Sequence, residues 1–271
     1  MARCTRNDCR RWRPDFLAKR GQTGCHLDHE WFCSRGCLER EARERLRGAR
    51  RSTGAARPVV PPLKVGVLLV HYGVITPATL KRALEDQRQS GLKLGAQLVR
   101  DGHCATTDVL RALSAQCGAS YLASVDPNSV RHAPGALSRD AVRALGVVPI
   151  EADPKTMRLK VACVAPLPRL ALRALHELTG WSPDPFLVID EDLPRLIEAY
   201  GEGIRQAERV AGSHARSISD VAARVATVAG QSRVRMTHTQ VDPWLWVRVE
   251  DEAGTVEDVI LPVSAREVAG V

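Results

Sequence analysis

Two copies of one sequence pattern lie five residues apart, KVGVLLVHYGVITPATLKRALEDQ at residues 64–87 and KLGAQLVRDGHCATTDVLRALSAQ at residues 93–116. Aligned without a gap, both have Lys first, Gly third and tenth, Ala-Leu at positions 20 and 21, and Gln last. Neighbouring copies of one unit pack together and form a pseudo-symmetric surface. The repeat therefore predicts the fold of the central chain and the surface where a ligand or partner binds.

Each copy predicts a helix in its second half. A short apolar segment, at residues 67–70 in the first copy and 97–99 in the second, leads to a glycine, and helical spacing of apolar residues follows. Thr76 is expected to cap the first helix, and Thr106 or Thr107 the second. The pattern therefore predicts two loop-helix units.

The third residue of each copy is a glycine, Gly66 or Gly95. Because glycine has no Cβ, either residue would let the backbone approach a ligand closely. A left-handed turn would explain either glycine equally well. The sequence leaves both interpretations open.

The chain after the repeat alternates between helix and strand patterns, with prolines at the ends of the elements. The elements predicted in this part are a helix at 138–145, strands at 146–152 and 157–164, a helix at 167–179, a strand at 185–189 and a helix at 192–200. Further on, residues 207–229 have a helical pattern interrupted by Gly212. Residues 244–263 read as two strands around a turn at 252–254.

The predicted fold class is α+β, with a tandem loop-helix repeat subdomain followed by a small α/β subdomain and preceded by a short zinc finger. The stretch at 52–62 has three prolines among small residues, which indicates a linker. The predicted units are a zinc-finger-like basic module with a helix at 1–51, a linker at 52–60, a domain at 61–201 whose α/β subdomain covers 126–201, and a helix and β-hairpin tail without assigned chemistry at 202–271.

Five of the eight cysteines lie in the first 37 residues. Without an export signal, clustered thiols are more often metal ligands than disulfides, because the cytosol keeps thiols reduced. The spacing resembles a treble-clef zinc finger, in which four thiolates form a closed structural site. The expected ligands are Cys4, Cys9, Cys33 and Cys37, with Cys25, His26 and His29 as alternates.

The net charge of +8 lies entirely in residues 1–57, which hold 15 Lys and Arg against 7 Asp and Glu. A basic segment of this kind attracts nucleic acid, an acidic lipid surface or an acidic partner, or it simply keeps the chain solvated. No apolar run reaches the ~18 residues of a membrane span, and the start lacks the apolar region of a signal peptide. A cytoplasmic protein without a membrane span is expected.

The repeated motif consists of a basic residue, an apolar residue and Gly, then Leu-Val and Gly, and a helix ending in Ala-Leu-x-x-Gln. It resembles the MshEN family, the amino-terminal domain of type II secretion and type IV pilus ATPases, also called the GspE amino-terminal domain. The resemblance covers about residues 61–201 and implies that the two motifs together bind one cyclic-di-GMP. The residues that it implies for this ligand are Lys64, Val65, Gly66, Gln87, Lys93, Leu94, Gly95 and Gln116, with Leu80, Leu84, Val109 and Leu113 as apolar support.

Four positions depart from the family pattern. Lys64 and Lys93 replace arginines, and lysine lacks the planar fork that pairs bidentately with phosphate, so a lower affinity is expected. Val65 replaces the usual Leu. Ala165 stands where many relatives have an Asp that can contact the ligand.

The sequence lacks the phosphate-binding loop G-x-x-x-x-G-K-[ST] of the ATPases, and it also lacks G-x-S-x-G and H-E-x-x-H motifs. A non-enzyme is therefore predicted. The predicted function is a non-catalytic cyclic-di-GMP receptor or adaptor for signalling, linked to a type II secretion or type IV pilus-like system. The alternatives are a nucleotide-independent scaffold that docks a secretion or pilus motor, and a zinc-dependent nucleic-acid-binding regulator that uses residues 1–57.

Overall fold

The computed structural model describes residues 2–9, 11–13, 24–51, 63–131, 137–165, 167, 169–207, 210–241 and 243–263, so the predicted linker at 52–60 lies outside the described residues. The described helices are α1 (Arg35–Arg51), α2 (Val65–His71), α3 (Pro77–Ser90), α4 (Leu94–Arg100), α5 (Thr106–Cys117), α6 (Pro127–Arg131), α7 (Arg139–Leu145), α8 (Arg169–Thr179), α9 (Leu193–Ala207) and α10 (Ile218–Ala229). The described strands are β1 (Ala2–Arg3), β2 (Trp12–Arg13), β3 (Cys25–Leu27), β4 (Glu30–Phe32), β5 (Ser120–Tyr121), β6 (Val147–Asp153), β7 (Arg158–Cys163), β8 (Ser182–Leu187), β9 (Val210–His214), β10 (Val234–Val241), β11 (Trp244–Asp251) and β12 (Val256–Pro262). Among these helices none is long and apolar enough to cross a bilayer.

The predicted α+β class is confirmed, and both halves of each repeat are helical. α2 and α3 form the first copy and α4 and α5 the second, so the predicted loop-helix unit has an additional short helix in its first half. Periodicity over a short apolar run does not distinguish a helix from other structures, which is why the sequence did not predict α2 and α4. The turns pass through Gly73 and Gly102, whose φ angles of 70° and 73° are left-handed and suit glycine.

The predicted helix caps are right for the first copy and wrong for the second. Thr76 caps α3, because its side-chain oxygen accepts a hydrogen bond from the backbone N–H three residues later at 3.1 Å. The residue at the cap of α5 is Ala105, whose backbone N–H donates to the Asp108 carboxylate at 2.9 Å. Thr106 and Thr107 lie within α5, and the Asp108 side chain makes the capping contact.

The two copies of the repeat pack reciprocally. α2 of the first copy contacts α5 of the second, and α4 of the second contacts α3 of the first. Leu69 and Leu98, which occupy the same position in the two copies, are fully buried in their shared core. The repeat therefore folds as one pseudo-two-fold unit.

The α/β subdomain contains a four-stranded mixed sheet in the order β5, β8, β7, β6. β6 and β7 are antiparallel, whereas β7, β8 and β5 run parallel. Every element predicted between residues 126 and 201 is present, with two shifts: β8 begins earlier, at Ser182, and α9 continues to Ala207. α5 packs against β5 and β8, which joins the second copy of the repeat to this sheet.

A six-stranded sheet joins the two ends of the described chain, with the order β4, β3, β10, β11, β12, β9. One face of this sheet packs against α1 and α10 in a core that includes Phe32 and Val247. The opposite face packs against the α/β subdomain through Trp246 and Ile260, both fully buried. The core that contains the buried N-terminal cysteines and the α/β subdomain therefore lie on opposite faces of one sheet.

This sheet corrects the prediction for the C-terminal part. Residues 1–51 and 202–271 are separate units in the prediction, but both supply strands to one sheet and side chains to one core. The helical pattern over 207–229 is wrong at its start, because Val210–His214 is the strand β9 and the helix α10 begins at Ile218. The strand pair around 252–254 is confirmed as β11 and β12. Strands that are buried on both faces lack the alternation of apolar and polar residues along the strand, so nothing in the sequence indicated that these two segments share a sheet.

A buried ion pair links this sheet to the α/β subdomain. The fully buried Asp258 carboxylate accepts hydrogen bonds from Arg248 Nε at 2.8 Å and from Trp246 Nε1 at 2.9 Å. It also accepts from the backbone N–H of Ser138, the cap residue of α7, at 2.8 Å. Removing one partner of such a pair leaves an uncompensated buried charge, which costs ~3–5 kcal/mol. The network therefore fixes α7 on the sheet.

Candidate functional site

The motif-final glutamines cross from one copy of the repeat to the other. Gln116, the last residue of the second motif, donates from Nε2 to the carbonyl oxygen of Leu63 at 2.8 Å. Gln87, the last residue of the first motif, donates from Nε2 to the carbonyl oxygen of Leu92 at 2.9 Å. Leu63 and Leu92 each precede the lysine that begins the other motif. The two motifs are therefore joined by a reciprocal pair of hydrogen bonds.

The motif glycines allow close packing between helices. A Cβ added to Gly66 would lie 2.5 Å from Leu80 Cδ1 and 3.0 Å from Leu94 Cδ2. A Cβ added to Gly95 would lie 2.6 Å from Val109 Cγ1. Neither glycine has a positive φ, so the left-handed turn considered from sequence is wrong. The missing Cβ lets α2 approach α3 and lets α4 approach α5.

A cavity of about 470 Å³ lies where the second motif meets the ends of β7 and β8. Most of the residues that line it are apolar, and one of them, Val65, comes from the first motif. The predicted site residues in its lining are Val65, Lys93, Leu94, Gly95, Val109 and Leu113. Cavities of ~300–1,000 Å³ with apolar walls and a few polar groups are typical of small-molecule sites. We refer to this space as the second-motif cavity.

Charged side chains stand at the mouth of the second-motif cavity. Lys93 Nζ lies 3.5 Å from Asp190 Oδ2, and both side chains are largely in solvent, 75% and 52% exposed. Arg100 and Glu191 complete the charged part of the lining. Such an exposed ion pair contributes only ~0–1 kcal/mol, so an anionic ligand can replace Asp190 at Lys93 at little cost.

The predicted residues of the first motif are distributed differently. Lys64 is exposed at the start of α2 and does not line the second-motif cavity. Leu80 packs into the core between the copies, whereas Leu84 is 41% exposed. The first motif therefore presents an open surface, and the structure does not bring all twelve predicted residues into one enclosed site.

Several lining residues have no signal in the motif pattern. Asp190 and Glu191 follow β8, and Val164 and Ala165 follow β7, about seventy to a hundred positions after Lys93 in the chain. Only the packing of α5 on the α/β sheet brings them to the motif. Ala165 lines the cavity, and so does Asp190, which supplies a carboxylate there.

A second candidate site is the group of thiols at Cys4, Cys9, Cys33 and Cys37, whose Sγ atoms all lie within 4.8 Å of one another. The Sγ atom of Cys33 is 3.6 Å from that of Cys9 and 3.6 Å from that of Cys37. Four thiolates at ~2.3 Å from one zinc ion in a tetrahedron lie about 3.8 Å apart, so the spacing fits this metal. The alternates Cys25, His26 and His29 are outside the group.

The four thiols differ in how readily they ionise, and three of them lie in a core. Burial would raise the pKa of Cys37, but hydrogen bonds with Ser34 and with neighbouring thiols outweigh it and lower that pKa to about 7. Burial raises the pKa of Cys33 to about 12. Cys4, Cys33 and Cys37 belong to the core around the six-stranded sheet. A closed set of four thiols in a core is typical of a structural metal site.

No protein-family model and no curated protein matches the chain. Among solved structures, MshE with cdg (cyclic-di-GMP) is 25% identical, covers 51% of this chain and 98% of its own, and has a TM-score of 0.41. The N-terminal domain of XpsE is 18% identical, covers 54% of this chain and 99% of its own, and has a TM-score of 0.38. About half of this chain has no counterpart in either structure.

Proposed function

We propose that this chain is a non-catalytic cyclic-di-GMP receptor or adaptor that acts in a type II secretion or type IV pilus-like system. The observation that carries the proposal is the reciprocal pairing of two like motifs, in which Gln87 and Gln116 join the starts of both. A dinucleotide with two equal halves suits a surface with two equal motifs. The second-motif cavity supplies an enclosed place for one of these halves.

The chemistry of the second-motif cavity suits a guanine nucleotide. The apolar side chains of Val109 and Leu113 offer flat contact to a base, and Lys93 at the mouth offers positive charge to a phosphate. The Glu191 carboxylate can accept hydrogen bonds from the N1–H and N2–H groups of guanine. Lys64 offers a second positive charge at the start of the first motif. The other half of the ligand would lie on the open surface of that motif.

The packing around the cavity provides a way to relay binding. The lining joins the second motif to the ends of β7 and β8, so a ligand there contacts the repeat and the α/β subdomain together. Trp246 and Ile260 pack the α/β subdomain onto the six-stranded sheet. Ligand binding would therefore stabilise one arrangement of repeat and subdomain, and a partner protein would recognise that arrangement.

Titration calorimetry of the full chain with cyclic-di-GMP tests the proposal. We expect one ligand per chain, and thermal stabilisation equivalent to ~2.7 kcal/mol when the free ligand is at 100 times its dissociation constant. The double variant Lys64→Ala/Lys93→Ala should lose most of the binding. Lys155→Ala, which removes an exposed lysine in the β6–β7 turn, is the matched control and should bind normally. No heat and no stabilisation with the wild-type chain would refute the proposal and favour the nucleotide-independent scaffold.

We also propose that Cys4, Cys9, Cys33 and Cys37 hold a structural zinc ion. The spacing of their four sulfur atoms supports this, and the ion would stabilise the core between α1 and the six-stranded sheet. Metal analysis of the reduced protein, purified without chelators, should find one zinc per chain. Cys33→Ser should lose the metal, whereas Cys104→Ser, which changes a thiol in the repeat, should retain it. A metal-free wild-type protein in which all five thiols of residues 1–37 react freely would contradict the proposal.

A further inference from the structure

We infer that Gln87 and Gln116 are positioning residues, and that each one holds the lysine of the other motif in place for the nucleotide. The inference rests on the proposed function and deepens it. Each motif-final glutamine would act on the lysine of the neighbouring copy, whereas the family resemblance implies only that the glutamines lie near the ligand. The supporting observations are the two hydrogen bonds that cross between the copies.

The glutamines hold the chain immediately before each lysine. Lys64 and Lys93 are the cap residues of α2 and α4, with extended φ and ψ and without a side-chain capping hydrogen bond. Their carbonyl oxygens accept the first hydrogen bonds of these helices, from Val67 N at 2.9 Å and from Gln97 N at 2.9 Å. The orientation of each lysine side chain at the start of its helix therefore depends on how the backbone of the preceding residue is held.

The preceding residues offer little side-chain anchoring of their own. The Leu63 side chain is exposed, at 65%, and Leu92 is half-buried. At each place the backbone carbonyl is held by a glutamine from the neighbouring copy, 53 residues away for Leu63 and 5 residues away for Leu92. In the second motif the Leu92 backbone N–H also donates to Ser90 Oγ at 3.3 Å and Lys93 pairs with Asp190, so loss of the glutamine donor should loosen Lys64 more than it loosens Lys93.

The reciprocal geometry makes a specific prediction of energetic coupling. Gln116 should couple to Lys64, which lies in the other motif, and it should be independent of Lys93 in its own motif. Gln87 should show the mirror pattern, with coupling to Lys93 and independence from Lys64. Hydrogen exchange measured without ligand separates this role from direct contact with the nucleotide.

Double-mutant cycles measured by calorimetry with cyclic-di-GMP test the coupling. Gln116→Ala should weaken binding about twofold, which is less than the loss expected from removing Lys64, the residue through which it acts. Adding Lys64→Ala to Gln116→Ala should weaken binding by much less than Lys64→Ala does alone, whereas the effects of Lys93→Ala and Gln116→Ala should multiply. Gln89→Ala, which removes an exposed glutamine from α3, should bind like the wild type. If the effects of Gln116→Ala and Lys64→Ala on binding multiply, the inference is wrong.

Hydrogen exchange without ligand tests the same contacts independently of nucleotide binding. Gln116→Ala and the isosteric Gln116→Glu, which removes the donor, should speed exchange at the start of α2 in the first motif. Gln87→Ala should speed exchange at the start of α4 in the second motif. Changes confined to the helix that carries the substituted glutamine would overturn the inference. If exchange shows the crossed pattern but the wild type binds no nucleotide, the proposed function fails and the lysines are positioned for another purpose.

Discussion

The two copies of the repeat share their sequence pattern, their helices and their mutual contacts, but their outer faces have different surroundings. Leu110 and Leu113 of the second copy pack against the α/β subdomain. The residues at the same positions of the first copy are Lys81 and Leu84, and both are exposed. The repeated pattern thus determines how the copies pack on each other, and the positions outside it determine which copy the rest of the chain covers.

This difference makes the two halves of the proposed ligand site unequal. The second motif lines a partly enclosed cavity with the ends of β7 and β8, whereas the first motif offers the open surface around Leu84. An enclosed half-site removes more of a base from water and is therefore expected to contribute more of the binding free energy. The two copies therefore make similar contacts with each other but are expected to contribute unequally to ligand binding.

The largest expected effect concerns the buried outer face of the second copy. Leu110→Ala should lower the free energy of unfolding by ~2–4 kcal/mol, because Leu110 is 3% exposed and its truncation leaves a cavity in the core. Lys81→Ala at the same position of the first copy should change stability by less than ~0.5 kcal/mol. Urea unfolding followed by circular dichroism measures both variants. Equal losses at the two positions would show that the two outer faces are covered alike.

The second prediction compares the two motif lysines in nucleotide binding. Lys93→Ala should weaken cyclic-di-GMP binding about tenfold, equivalent to ~1.4 kcal/mol, because Lys93 stands at the mouth of the second-motif cavity. Lys64→Ala should weaken it only about threefold, because Lys64 does not line the cavity and would meet the ligand on the open surface of the first motif. Calorimetry of the two single variants gives the ratio, with Lys155→Ala as the control. A larger loss for Lys64→Ala would reverse the assignment of the stronger half-site.

The structural features that the sequence predicts correctly are those that depend on a local pattern, as the packing of the two copies does. Features that depend on local pattern, such as the Thr76 cap, the helix after Ser138 and the strand pair near Gly254, are predicted correctly. Features that depend on distant segments are not. The pairing of β3 with β10 and the approach of Asp190 to Lys93 join residues far apart in the chain, and a single sequence has no periodic signal for such contacts.

The candidate site divides in the same way. The repeat identified the motif lysines and glutamines, and the cysteine density identified the four thiols that the structure brings together. The contact of Gln116 with Leu63 could not be predicted, because it joins residues 53 positions apart and depends on the pseudo-two-fold packing of the copies. Side-chain type and spacing indicate which residues matter, and tertiary packing determines what each one touches.

The third prediction compares the two motif glycines. The added methyl of Gly95→Ala meets Val109, a β-branched residue with one strongly preferred rotamer in a helix, so we expect a loss of ~1 kcal/mol after the gain in helix propensity. Gly66→Ala meets the flexible ends of Leu80 and Leu94, and its stability should stay within ~0.5 kcal/mol of the wild type. Thermal unfolding measures both.

A rescue variant checks the stated cause of this asymmetry. Relative to the Val109→Ala single variant, adding Gly95→Ala should cost nothing or should stabilise the chain, because the clashing methyl has been removed. A persistent loss in the double variant would mean that the strain lies in the backbone of α4 and is unrelated to Val109.

The smallest expected effect concerns the carboxylate that lies beside Lys93 in the second half-site. Asp190→Asn removes the carboxylate that lies 3.5 Å from Lys93, so an anionic ligand no longer competes for that lysine. Binding of cyclic-di-GMP should become about two- to threefold tighter at low ionic strength, and the gain should shrink as salt is added. Stability should not change, because the ion pair is exposed, and Glu85→Gln on the exposed face of α3 should leave the affinity unchanged. Weaker binding by Asp190→Asn would instead mean that this carboxylate accepts hydrogen bonds from the guanine edge, and the second half-site would then differ from the first in base recognition as well as in burial.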